Sequence, residues 1–360
     1  METIKIHIVD DSASVRKVLG DLLDTDSSLE VIDTSSDPII AEKKLKKQWP
    51  DVFILDIEMP HKDGITFLKE IMATRPTPVV MCSSLTENNT KITMEALSAG
   101  AVEIISKPKV GLQNFLYESA MMLVDVIKSA ALADVKTLKK TISAKPGLKV
   151  SPKLTADALL TPFDGKRVTG KTDKIVTIGA SAGGTQALEA LLTSLPQNSP
   201  GIVIVQHMPE KFTFAFAKRL NNICAIEVKE AEDNDQVKSG RALIAPGNLH
   251  LMVIRKGSNY SVITKEGPLV SRHRPAVDVL FRSVAKNGGE NVLGVILTGM
   301  GDDGAAGMFE MKQAGSRTIA QNEETCVVFG MPKEAIKRGG VDEVLPLEDI
   351  SGEIIKFAVN

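Results

Sequence analysis

Residues 174–188 read KIVTIGASAGGTQAL, and this stretch decides the architecture of the C-terminal half. Ile175 to Ile178 form an apolar, β-branched run of strand length. Gly179-Ala180-Ser181-Ala182-Gly183 then gathers small residues, and helical spacing follows from Gly183 to Ser194. Strand, tight turn and helix make the opening of a βα unit, and repeated units of this kind build a parallel sheet covered by helices. The turn fits the G-x-S-x-G nucleophile-elbow pattern. Small neighbours are needed because the turn is sharp and the Ser181 hydroxyl must project from it. The helix start beyond it offers unpaired N–H groups to a developing oxyanion. Glycine-rich turns also bind phosphates. This one lacks the GK[ST] ending of a P-loop, and Ser181 stands where a dinucleotide fingerprint needs its second glycine. A nucleophile and an anion-binding loop both remain open on the turn alone.

A serine nucleophile needs a base, and a base needs an orienting acid. His207 directly follows the strand-like run Gly201–Gln206, one helix and one strand after Ser181, which is a minimal right-handed crossover. It is therefore expected on the same sheet edge as Ser181, with His250 in reserve. The acid is expected in the loop after Val292–Leu297, at Asp302 or Asp303. Further strand candidates are Ile202–Val205 and Ala242–Ala245, and Pro275–Lys286 has helical spacing. The second half is thus a Rossmann-like α/β domain.

The first half alternates in the same way. Apolar runs at Ile4–Val9, Leu29–Thr34, Val52–Leu55, Val79–Cys82 and Val102–Ile105 are separated by stretches with apolar spacing of three and four. Five βα repeats imply a doubly wound, flavodoxin-like parallel sheet, whose ligands bind at the C-terminal strand ends. Those ends carry Asp10-Asp11, Asp56, Ser83-Ser84 and Lys107-Pro108. Three carboxylates repel one another and attract a hard divalent cation, most naturally Mg²⁺. A carboxylate beside a metal can attack phosphorus, while a hydroxyl and an ammonium hold the transferred oxygens.

The chain has 360 residues and a formal net charge of −2, so no basic field points to nucleic acid. No apolar run reaches the roughly 20 residues that span a bilayer. The N-terminus lacks the basic start and cleavage site of a signal peptide. Three scattered cysteines exclude a disulfide scaffold. A reduced, cytoplasmic, two-domain protein is expected, divided as 1–128, a linker over 129–172, and 173–360. The linker carries nine basic and three acidic residues and several prolines and glycines, which reads as a solvated tether, helical at its start.

The first domain resembles the two-component receiver. That resemblance implies Asp10 and Asp11 as the acidic metal pair completed by Asp56, Asp56 as phosphate acceptor, Ser83 as switch hydroxyl and Lys107 as the lysine before a proline. Met59-Pro60 and Asp63-Gly64 fit the loop after the acceptor. Ile104 stands where many receivers carry a switch aromatic. In the second domain GASAGG, Gln206-His207-Met208 and LTGMGDDGA resemble the bacterial chemotaxis protein-glutamate methylesterase family, whose domain order the whole chain follows. The resemblance implies Ser181 as nucleophile, His207 as base, Asp303 as orienter, the Met300 N–H in the oxyanion hole, and Arg272-His273-Arg274 facing substrate. Ala182 replaces the family's usual threonine. It further implies demethylation of glutamate γ-methyl esters and deamidation of glutamines on chemoreceptors, without a metal in that step. A chemotaxis histidine kinase would be the phosphodonor, and the unphosphorylated receiver would cover the Ser181 cleft. The alternative is a response regulator whose second domain binds a ligand or nucleotide without hydrolysis.

Overall fold

The computed structural model describes residues 3–84, 87–107, 113–133, 153–165, 170 and 172–359. The chain forms two compact units, Met1–Lys145 and Pro146–Asn360.

The first unit runs β1 (Ile4–Val9), α1 (Ala13–Leu23), β2 (Leu29–Ser35), α2 (Pro38–Leu45), β3 (Val52–Asp56), α3 (Gly64–Thr74), β4 (Val79–Ser83), α4 (Glu87–Ser98), β5 (Glu103–Ser106) and α5 (Gln113–Leu132). The strands pair in parallel in the order β2-β1-β3-β4-β5. Every residue of β3 and β4 is buried, which is why these strands read as unbroken apolar runs rather than alternating ones. The chain reverses its winding direction between β1 and β3, and this switch point opens a crevice where their ends lie side by side. Local caps fix the helix starts: Ser12, Asp37 and Asp63 accept from Val15 N, Ile40 N and Thr66 N at 3.4, 2.9 and 2.8 Å. Pro108 lies outside the described residues.

The second unit continues β6 (Ile175–Ala180), α6 (Gly184–Thr193), β7 (Gly201–Gln206), α7 (Phe212–Ile223), β8 (Glu227–Glu230), β9 (Gln236–Val237), β10 (Arg241–Ile244), β11 (His250–Lys256), β12 (Asn259–Lys265), α8 (Val277–Asn287), β13 (Val292–Ile296), α9 (Ala305–Gln313), β14 (Arg317–Gln321), α10 (Met331–Lys337), β15 (Glu343–Leu345) and α11 (Leu347–Val359). Seven parallel strands lie in the order β15-β14-β13-β6-β7-β10-β8. The switch point falls at β6, flanked by β7 and β13. An antiparallel sheet, β11-β12-β9, is added to the expected parallel one. Its hairpin turns on Gly257-Ser258, with Gly257 at φ +67°, a conformation for which a residue without Cβ is suited. Pairing across that turn makes this strand pair local, in a segment to which the sequence reading assigned no element.

Part of the expected tether is folded onto the second unit. Ala156 is buried in an apolar cluster with Met252, Val270, Ala276 and Val279. Asp157 accepts from Arg282 at 2.5 Å, the Leu154 carbonyl accepts from Ser271 N at 2.8 Å, and Lys153 pairs with Asp302 at 2.7 Å. Residues 134–152 of that tether lie outside the described residues. No described helix is long and apolar enough to cross a membrane.

Candidate active site and acidic centre

At the C-terminal edge of the seven-stranded sheet, the last β6–β7 pair is Ala180 with Gln206. Ser181 and His207 are therefore the next residues on two neighbouring chains, and His207 N donates to the Ala180 carbonyl at 3.2 Å. Gly183 at φ +76° turns the chain into α6. On the other side of β6, Ser181 N donates to the Thr298 carbonyl at 3.0 Å. A Cβ on Gly299 would lie 2.8 Å from the Ser181 Cβ. Thr298 and Gly299, at the start of the loop that carries Met300, thus pack directly against the serine.

Of the two candidate acids, Asp303 rather than Asp302 meets His207. His207 Nε2 lies 2.8 Å from Asp303 Oδ2, and both side chains are buried. A carboxylate only accepts, so the proton of this bond sits on Nε2. Nδ1 is then the lone-pair nitrogen, buried and without a hydrogen-bond partner among the described residues. Asp303 also accepts from Val277 N at 2.7 Å and Asp278 N at 2.9 Å. It thereby caps α8, whose own N-cap residue, Ala276, has no side-chain acceptor. Two backbone donors and the start of a helix thus converge on this one carboxylate. Asp278 returns the arrangement, accepting from Gly307 N of α9 at 2.7 Å. Burial, and then the charge of Asp303, raise the Asp278 pKa. Asp302 faces outward to Lys153.

His273 lies against the face of the His207 ring, with centroids 3.7 Å apart and planes inclined by 9°. Burial, then His207, Lys153 and Arg272, hold its pKa well below the ordinary imidazole value, so a neutral ring covers His207. Arg274 spends its guanidinium on Asn248 Oδ1, at 3.0 and 2.6 Å, and on the Gly267 carbonyl. Arg272 has φ +70° in the same loop. His250 Nε2 donates to the Pro268 carbonyl at 2.9 Å, and the residue is wholly buried, so the reserve base is held in the interior. The sequence reading missed Gly299 and the reciprocal caps of Asp278 and Asp303. A buried aspartate two positions into α8 was a usable signal for the latter.

In the first unit, Asp10, Asp11 and Asp56 bring ligand oxygens within 4.8 Å of one another. Lys107 Nζ lies 2.7 Å from Asp56 Oδ2 and 3.1 Å from Asp10 Oδ2. Burial, with the charge of Asp10, lifts the Asp56 pKa to about 6 against the pull of Lys107. Ion pairing with Asp56 and Asp10 outweighs burial and raises that of Lys107. Three carboxylates against one ammonium form a hard-oxygen donor set with excess negative charge, which fits Mg²⁺. Gly64 explains the Asp63-Gly64 step: a Cβ there would stand 1.9 Å from the Asp56 carbonyl oxygen. The Ser83 hydroxyl donates to the Ser84 carbonyl at 3.2 Å, and Lys107 N to the Ser83 carbonyl at 2.9 Å.

Fold and sites define a receiver domain joined to an α/β hydrolase domain. Residues 6–115 match the response regulator receiver domain and residues 176–354 the CheB methylesterase. The chain is 58% identical to "protein-glutamate methylesterase/protein-glutamine glutaminase 1" of Xanthomonas oryzae pv. oryzae, over 97% of this chain and 99% of that one. It is 55% identical to the similarly named protein 3 of Geobacter metallireducens, over 99% of each. The crystal structure of the Thermotoga maritima CheB methylesterase catalytic domain aligns with a TM-score of 0.50 and 42% identity, covering 51% of this chain and 98% of that one. The chain therefore belongs to the protein-glutamate methylesterase/protein-glutamine glutaminase family. It is a hydrolase with a receiver domain, and the non-hydrolytic alternative is set aside.

Proposed function

We propose that the protein hydrolyses glutamate γ-methyl esters, and deamidates glutamines, on the cytoplasmic helices of chemoreceptors. Ser181 Oγ attacks the ester carbonyl while His207 Nδ1 takes its proton. Asp303 holds the opposite nitrogen and stabilises the imidazolium. The Met300 N–H and the start of α6 face the oxyanion. The imidazolium returns the proton to the departing methoxide, releasing methanol. Water, deprotonated by the same imidazole, then cleaves the acyl-enzyme and restores Ser181. The loop of Arg272, His273 and Arg274 borders the substrate, with His273 also covering the base. The observation that carries this reading is the buried His207–Asp303 bond at 2.8 Å, set one residue beyond the strand pair that ends beside Ser181. Methanol release from methylated receptor membranes tests it, and wild-type turnover by Ser181→Ala would refute it.

Control is assigned to the receiver, in the cytoplasm. A chemotaxis histidine kinase phosphorylates Asp56, with Ser83 and Lys107 holding the phosphoryl oxygens. Asp10, Asp11 and Asp56 would hold Mg²⁺, which when bound neutralises charge at the phosphoryl group. Phosphonate labelling of Ser181 should accelerate with a small phosphodonor, and Asp56→Asn should abolish the acceleration. An Asp56→Asn protein that still responds would show another site to be the acceptor.

A further inference from the structure

Gln206 ends β7, immediately before His207, and is fully buried. Its carboxamide Nε2 donates to two backbone carbonyls at 3.1 Å each: those of Ser181 and of His207. These two residues follow the last pair of the β6–β7 ladder, where regular sheet bonding stops. The Ser181 carbonyl is further engaged by Gly184 N at 2.6 Å. One planar side chain thus ties the chain of the serine to the chain of the histidine at the point where both leave the sheet.

The neighbouring sequence is built around this amide. A Cβ on Gly184 would lie 2.1 Å from Gln206 Oε1, so the last glycine of GASAGG leaves the room that Gln206 occupies. Oε1 itself is buried without a hydrogen-bond partner among the described residues. A bare buried acceptor is destabilising, and an apolar residue of the same shape would avoid it. What the amide adds over such a residue is its pair of donors, both directed at the backbone of Ser181 and His207.

We infer that Gln206 is a positioning residue that fixes the Ser181 elbow relative to the His207 strand. The inference rests on the reading of Ser181 and His207 as nucleophile and base. Gln206 touches no reacting atom. It acts through the two main chains, and small misplacements of reacting groups are costly to rate, on the order of a hundredfold for 1 Å.

The test uses the full-length protein and the variant Gln206→Met, which keeps length and loses both donors. The rate of Ser181 labelling by a serine-directed phosphonate and kcat for methanol release should each fall by about tenfold or more. KM should stay within about twofold. The acid limb of the kcat/KM profile should move to lower pH, because an imidazolium out of line with Asp303 is less stabilised. A folded Gln206→Met protein with wild-type labelling rate and pH profile, even one of lowered melting temperature, overturns the inference, since that is the pattern of packing alone. Should this variant not fold, Gln206→Asn retains the amide but is one methylene too short to span both carbonyls, and carries the same expectations and the same refutation. Absence of Ser181 labelling in the unaltered protein would refute the nucleophile itself, a failure distinct from wild-type behaviour of the variant.

Discussion

Replacing Asp303 by asparagine tests the site at its most constrained point. Oδ2 accepts from His207 Nε2 and Val277 N, and Oδ1 accepts from Asp278 N. An asparagine has one acceptor oxygen and one amino group. With the oxygen kept toward His207, the amino group meets the Asp278 N–H, and the α8 cap is half lost. With the amide flipped, the amino group meets His207 Nε2 and the Val277 N–H. Nε2 must then become the acceptor, which moves the ring proton to Nδ1, the nitrogen the reaction needs free. Either orientation removes the charge that stabilises the imidazolium. Loss of one cap costs about 1 kcal/mol, and loss of a charged hydrogen bond about 1.5–3 kcal/mol. Relief of the repulsion that raises the Asp278 pKa offsets part of this. A net destabilisation of roughly 1–3 kcal/mol is expected. The rate should suffer more. A wrong-tautomer triad loses about 10⁴-fold, which at 1.36 kcal/mol per tenfold is about 5 kcal/mol of barrier. The assay is kcat for methanol release alongside thermal unfolding of the same preparation. If Asp303→Asn stays folded with kcat within tenfold of wild type, Asp303 does not orient the base.

Three further outcomes are expected. Gly299→Ala puts a methyl 2.8 Å from the Ser181 Cβ and 2.3 Å from Met331 Sδ, so it should cut the phosphonate-labelling rate by about tenfold or more through displacement of the serine, and unchanged labelling would remove the loop from the site. Asp56 has its pKa lifted from 3.8 to about 6, so the native state binds more protons across that window and receiver stability falls as pH rises through it; at 1.36 kcal/mol per pH unit the loss is about 3 kcal/mol. Asp56→Asn should therefore raise the receiver's unfolding temperature at pH 7.5 and give a much smaller gain near pH 4, whereas Mg²⁺ should stabilise the wild type only; equal gains at both pH values would refute the buried-charge account. Finally, a chain starting at Asp173 loses the Ala156 contacts and the Asp157–Arg282 pair and should unfold several degrees below one starting at Pro146, equal melting temperatures being the contrary result.

The five strands of the first sheet and the four central strands β13, β6, β7 and β10 of the second were legible because parallel strands buried on both faces leave unbroken apolar runs, whereas β14 and the less buried outer strands β8 and β15 were not read. Ile4–Val9 has the bounds its run suggested, and Ile175–Ala180 and Val79–Ser83 run only one or two residues further. The β11–β12 hairpin was not read, since a segment beside one glycine turn carries no mark distinguishing local antiparallel pairing from another crossover. The same holds for residues 153–161. Their basic and proline-rich surroundings describe a tether, yet Ala156, Asp157 and Leu154 find partners more than a hundred residues away on α8 and its preceding loop.

The sequence by itself determined which residues end the strands that carry the two sites, because those ends follow from apolar length and the polar residue after it. That was enough to name Ser181, His207, Asp10, Asp56 and Lys107 as neighbours on two edges. Only the tertiary structure put the Asp303 carboxylate against His207 with Asp302 turned outward, put His273 on the face of His207, and gave Gln206 its two carbonyls. These depend on directions of side chains within loops, where no periodicity constrains the backbone. Asp303 faces inward because the start of a helix from another part of the chain presents two unpaired N–H groups to it, and that juxtaposition exists only once the chain has folded.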